Sequence, residues 1–156
     1  MGGNKVEDCQ KNFIPLIKQK LNVPVIEDVL TIVSKYVSVT SDTLNIRRGA
    51  GNNYALSKER APAILGAVLR VYEENNGWYR ISSSAEHWVN SRYTKVVRRA
   101  VVNADVLNVR SGAGTAYPKL ASLKKGTEIF VYSQKDGWSQ IGIESRWVKD
   151  SFLDFL

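Results

Sequence analysis

Leu107–Tyr117 reads LNVRSGAGTAY, and 63 residues earlier Leu44–Tyr54 reads LNIRRGAGNNY. Each stretch opens with the apolar–polar alternation of a half-buried strand, turns on two glycines and ends on a tyrosine. Glycine at such positions supplies positive φ or lets backbone pass close to another group. A motif of this length written twice makes the chain after Lys35 a tandem repeat.

Working outward, KYVSVTSDTLNIR aligns with RRAVVNADVLNVR, so Val37, Val39 and Leu44 match Ala100, Val102 and Leu107. Beyond the glycine loop, Tyr54 to Gly66 is three residues longer than Tyr117 to Gly126, and the surplus around Ala61-Pro62-Ala63 marks a loop. GAVLRVYEENNGWYRI then aligns with GTEIFVYSQKDGWSQI. Asn76-Gly77 and Asp136-Gly137 read as two-residue hairpin turns before strands that start at Trp78 and Trp138. A last strand carries Trp88-Val89 and Trp147-Val148, and Tyr93 and Phe152 close the units. Short strands with turn signals at close spacing predict a mainly β chain of two small barrels, over 36–96 and 97–156. Residues 1–35 predict a short helical segment: Ile14, Ile17 and Leu21 fall at helical spacing, then Ile26, Val29, Leu30 and Val33 share a face. That face is expected to pack on the neighbouring barrel, with docking or self-association as the alternative.

The succession LNVRSGAGTAYP, KKGTEIFVY, DGW and RWV resembles the bacterial SH3-like domain, closely over 99–156 and less closely over 36–95. The first copy departs at Arg48, where the second has Ser111, in the Pro62 loop, and in Ser82-Ser83-Ser84. The resemblance implies a small β-barrel that acts as a non-catalytic binding module, and a cell-wall peptide as ligand for exported members.

Bulk composition narrows the function classes. The net charge of +7 divides into +1 over 1–40 and +3 over each of 41–96 and 97–156, a diffuse excess compatible with an acidic partner or an anionic wall polymer. The lone Cys9 permits no intrachain disulfide, no stretch is apolar enough to span a bilayer, and the opening residues lack the apolar run of an export signal. As written, the sequence predicts a cytoplasmic protein, or an envelope or secreted one if an export signal has been removed.

Chemistry is sparse. One cysteine and one histidine give no Cys/His hydrolase, His87 aligns with Arg146 and reads as an exposed rim residue, and no Cys/His/carboxylate spacing suits zinc. The loops GAGNNY and GAGTAY place tyrosine where a dinucleotide fingerprint needs its third glycine. No catalytic residue, metal or cofactor is expected. Binding is better supported. If Ile81 and Ile141 face the core, alternation puts Trp78 with Arg80, and Trp138 with Gln140, on the opposite face as contact platforms. Tyr54 and Tyr117 end the glycine loop, which in SH3-like folds lies beside that strand. Arg48, Asn52 and Asn53, with Ser111 and Thr115 in the second copy, would then edge an aromatic groove for an extended peptide. Trp88 and Trp147, beside valines, are expected in the core, and Arg47 and Arg110 are expected to bond loop carbonyls.

The partner expected is therefore a protein or peptide, including a peptidoglycan peptide. A small cytosolic inhibitor of immunity type, blocking an enzyme or toxin, is the alternative. Single-stranded nucleic acid ranks last, since basic and acidic residues are interspersed and only Arg47-Arg48 and Arg98-Arg99 pair arginines.

Overall fold

The computed structural model describes residues 32–156. The first unit contains β1 (Lys35–Val39), β2 (Thr43–Leu44), β3 (Ala63–Ile64), β4 (Val68–Val71), β5 (Glu73–Asn75), β6 (Trp78–Arg80) and β7 (Trp88–Asn90). A long strand, β8 (Thr94–Val102), follows. The second unit continues with β9 (Val106–Arg110), β10 (Lys119–Lys124), β11 (Glu128–Val131), β12 (Ser133–Lys135), β13 (Trp138–Gln140), β14 (Trp147–Lys149) and β15 (Leu153–Phe155). Short 3-10 turns at Ser91–Tyr93 and Asp150–Phe152 precede β8 and β15 at equivalent places.

The expected mainly β architecture is present, and the two hairpins form as read. Asn76 and Gly77 have φ of 50° and 82°, and Asp136 and Gly137 have 50° and 84°. Paired positive φ values match the right-handed strand twist, and Asn, Asp and Gly adopt them at least cost. Each unit has its own apolar core. Val37, Val39, Leu44, Ile46, Leu69, Val71, Tyr79, Ile81 and Val89 form the first. Ala100, Val102, Leu107, Val109, Ile129, Val131, Val148 and Leu153 form the second. The aligned apolar positions of the two copies thus occupy equivalent places in two cores.

Three features depart from expectation. Among the described residues no sheet closes, so each unit is a set of wrapped open sheets rather than a closed barrel. The continuous runs VLRVYEEN and EIFVYSQK are the reason. Each breaks at its tyrosine, Tyr72 or Tyr132, where the chain leaves one sheet for another. Second, the copies differ beside the glycine loop. Lys119–Lys124 pairs along β9, whereas only Ala63–Ile64 pairs with β2, because the insertion with Pro62 lies where the rest of that strand would run. Third, the expected N-terminal helix lies outside the described residues up to Thr31, and its last residues are not helical. Lys35 opens β1, and the Ser34 N–H donates to the Val71 carbonyl at 2.8 Å.

The expected boundary at residues 96 and 97 falls inside β8. Tyr36–Val39 pairs with Val97–Thr94 of β8, which closes the first unit. Glu128–Val131 pairs with Val101–Arg98, and Leu153–Phe155 with Val102–Ala100, which opens the second. One strand is thus the last of one copy and the first of the next. Across the junction the Tyr36 and Phe130 rings lie 5.3 Å apart, and the Ser38 and Tyr132 hydroxyls are hydrogen-bonded at 2.7 Å.

Candidate functional site

The glycine loops are built the same way in both copies. A β-carbon at Gly49 would lie 2.3 Å from the Tyr54 ring, and one at Gly112 would lie 2.5 Å from the Tyr117 ring. Each tyrosine therefore lies flat on a glycine that has no side chain to hold it off. Arg47 Nη1 donates to the Tyr54 carbonyl at 2.9 Å, and Arg110 Nη1 to the Tyr117 carbonyl at 3.0 Å. The strand-ending arginines bond loop carbonyls, as expected from sequence.

Beside each loop runs a groove. The first holds about 230 Å³ and is lined by Ser41, Thr43, Leu44, Asn45, Arg47, Asn52, Trp78, Asn90, Arg92 and Tyr93. The second holds about 330 Å³ and is lined by Val106, Leu107, Asn108, Arg110, Thr115, Trp138, Lys149 and Phe152. All eight lining positions of the second groove have their aligned counterparts in the first: Asn45 answers Asn108, Arg47 answers Arg110, Trp78 answers Trp138 and Tyr93 answers Phe152. The tryptophan begins the strand after the hairpin turn, the asparagine and arginine come from β9 in the second copy and from the segment just after β2 in the first, and Tyr93 or Phe152 ends the 3-10 turn. Asn90 also caps its 3-10 turn, its Oδ1 accepting from the Arg92 N–H at 3.0 Å. Among the described residues no acidic side chain lines either groove.

Of the residues singled out in the sequence, the structure gathers Asn52 and Trp78 in one groove, and Thr115 and Trp138 in the other. Strand alternation holds: Tyr79 and Ile81 join the first core, leaving Trp78 and Arg80 on the other face. That face is more covered than expected, with Trp78 only 8% exposed and Arg80 only 7%. Arg80 lies outside the groove, within salt-bridge distance of Glu73 (3.8 Å) and Glu86 (3.7 Å). Gln140 replaces it in the second copy, donating to the Gly142 and Glu144 carbonyls and accepting from Ser133. Tyr54 and Tyr117 are half-exposed on their glycines, outside the groove linings. Arg48 and Asn53 are exposed on the loop, and the Ser111 carbonyl accepts from Ser145 Oγ at 2.6 Å. None of these three lines a groove.

Two sequence expectations are corrected. Trp147 is only half-buried and outside the second core, whereas Trp88 is buried as expected but on the face away from the first apolar cluster. Cross-strand register sets Val89 opposite Tyr79 and Trp88 opposite Arg80, so the valine points in and the tryptophan out. Trp88 is still buried, paired with Arg47 on its other side, and its Nε1 donates to Glu86 at 3.0 Å. His87 is not on an exposed rim. It is 7% exposed, its Nε2 lies 3.2 Å from Glu59 Oε1, and its Nδ1 is buried without a hydrogen-bond partner. Glu59 and Arg60 flank the loop insertion that the second copy lacks, which is why Arg146 is exposed there. The hydrogen bond from His87 holds the Glu59 carboxyl below the usual carboxylate range.

Sequence reasoning missed Asn45, Asn108, Asn90, Arg92 and Lys149 as groove residues, and gave Tyr93 and Phe152 only a closing role. The available signal was the repeat itself, since Asn45/Asn108 and Arg47/Arg110 are identical in the two copies. Arg98 and Arg99 are not a loose basic pair: Arg98 lies over the Phe155 ring at 4.2 Å, and Arg99 is paired with Glu128. Among the described residues no cluster of His, Cys, Asp or Glu could hold a metal, and no helix is long and apolar enough to cross a membrane.

The chain has relatives among known proteins. It is 26% identical over 141 residues to the "Putative N-acetylmuramoyl-L-alanine amidase YrvJ" of Bacillus subtilis (strain 168). The match covers 77% of this chain and 27% of that protein, so the chain spans about a quarter of the relative's length. Among solved structures it aligns with NlpC2 from Trichomonas vaginalis at 12% identity and a TM-score of 0.34, over 78% of this chain and 48% of that one. It also aligns with the endolysin LysPBC5 CBD at 12% identity and a TM-score of 0.34, over 79% of this chain and 93% of that one. Residues 40–95 match the SH3_4 family and residues 105–154 the SH3_3 family, both described as "Bacterial SH3 domain". With the glycine loop, the hairpin tryptophan and the groove all written twice within those matched spans, the chain belongs to the bacterial SH3 domain family, as two copies in tandem.

Proposed function

We propose that the chain is a non-catalytic binding module in which each unit holds an extended segment of a protein or cell-wall peptide in its groove. The observation that carries this reading is the duplication of the groove. Two copies that differ in their loops, their sheet pairing and much of their sequence still set an asparagine, an arginine, a tryptophan and a second aromatic around the same space. Those residue types suit a peptide: ring faces take side chains, and amides and guanidinium match backbone carbonyls. A relative that bears an amidase name makes wall peptide the first ligand to try.

The test is sedimentation with purified peptidoglycan. Wild-type protein should pellet with the wall, and the double variant Tyr93→Ala/Phe152→Ala should stay in solution. Both side chains are about two-fifths exposed, so their loss should leave the fold intact. If wild-type protein stays in the supernatant, wall peptide is excluded as the ligand. If the double variant pellets as well as the wild type, the groove is not where the ligand sits.

A further inference from the structure

The groove charges point to a more definite ligand. Arg47 and Arg92 line the first groove, and Arg110 and Lys149 the second. The second cation is placed differently in each: Arg92 lies in the 3-10 turn after β7, where the second copy has Ser151, whereas Lys149 lies in β14, where the first copy has Asn90. Among the described residues both grooves thus hold two positive charges, the second of them by different means, and neither lining contains a carboxylate. Among the described residues all four cations are outside the salt bridges, although the first unit ties up Lys35, Arg80 and His87 in them. Arg47 and Arg110 each spend Nη1 on a loop carbonyl, which fixes the guanidinium and leaves its remaining donors for a ligand. A cation pair in a lining without a carboxylate gives the groove a positive potential, which an anion relieves.

The uncharged lining decides what kind of anion. Asn45, Asn52 and Asn90 in the first groove, and Asn108 and Thr115 in the second, offer paired donors and acceptors. Peptide backbone needs both, whereas a phosphate backbone needs donors alone. Trp78 with Tyr93, and Trp138 with Phe152, add apolar surface for aliphatic stems. We propose that each groove takes an acidic peptide: free side-chain or terminal carboxylates meet the cation pair, while the backbone amides meet the asparagines. This rests on the groove being the ligand site.

Calorimetric titration of the full chain tests it, with oligomers of glutamate and of glutamine of equal length as probes. Glutamate oligomers should bind at least tenfold more tightly than glutamine oligomers, and the gap should narrow as salt rises from low to physiological strength. Arg92→Ala/Lys149→Ala should weaken glutamate binding about tenfold and glutamine binding far less. Tyr93→Ala/Phe152→Ala should weaken both. Equal binding of the two oligomers, lost in the aromatic variant, would overturn the acidic-peptide proposal and leave the groove reading standing. Glutamate binding that survives the aromatic variant places the anion elsewhere and overturns both. Binding of neither oligomer overturns the proposal, with peptidoglycan sedimentation still deciding the groove reading. If single-stranded DNA displaces the glutamate oligomer at equal charge concentration, the grooves answer to charge alone and the peptide specificity is refuted.

Discussion

A glycine that a tyrosine ring lies upon has little tolerance for a side chain. Alanine at Gly49 or Gly112 puts a methyl group inside the ring's contact radius, and the ring must lift. Overpacking of this kind costs about 1–3 kcal/mol, so Gly49→Ala and Gly112→Ala should each lower the midpoint of chemical denaturation without changing its slope. The loop glycines and their tyrosines were legible in the sequence as a unit, but what the tyrosine does was not. An aromatic at the end of a glycine loop reads equally as a ligand platform or as a lid on the loop, and only the β-carbon distances separate the two. His87 misled for a similar reason. Its alignment with Arg146 suggests a solvated position, but the loop insertion brings Glu59 over it in one copy alone. His87→Gln should therefore return the Glu59 pKa upward toward its ordinary value, as followed by carboxyl NMR titration. The sign for stability follows: a carboxyl held low in the folded state stabilises it above the ordinary carboxylate range. That contribution is lost as pH falls through the depressed value, and the variant should lack this part of the acid sensitivity.

At the scale of elements, the hairpins were the most readable part of the chain. Asn-Gly and Asp-Gly between alternating strands admit one turn geometry, and both adopt it. Alanine at Gly137 would hold φ near +84° against its own β-carbon, at a cost of about 1–2 kcal/mol. Gly137→Ala should show that loss as a lower thermal midpoint. Asp136→Gly should be tolerated better, since glycine enters positive φ freely. Core faces were readable too, because alternation from Ile81 and Ile141 assigned every other residue of the strand. Burial on the opposite face was readable for Trp88 but not for Trp78. Whether Trp78 and Trp88 stand in water depends on cross-strand neighbours such as Asn90, Arg80 and Arg47, and on loops that reach over them. Sheet closure was equally hidden, since the break at Tyr72 and Tyr132 leaves no gap in the apolar pattern.

For the whole molecule, the decisive element is β8. The repeat period located two units but placed a boundary between them, where the chain instead runs one uninterrupted strand through both. Side-chain contacts reinforce it, the Tyr36–Phe130 ring pair and the Ser38–Tyr132 hydrogen bond among them. Units of this size are marginal alone, and a shared strand couples their stabilities as neighbouring repeats are coupled. Chemical denaturation should give one transition, identical by tryptophan fluorescence and far-ultraviolet circular dichroism. Inserting a flexible glycine–serine segment between Val97 and Arg98 should split it in two, with the less stable unit melting first. Continuity of β8 also leaves no slack tether between the halves for a protease to enter. Limited digestion should accordingly trim the ends and loop tips, then degrade the body as a single piece, without ever releasing an intact half.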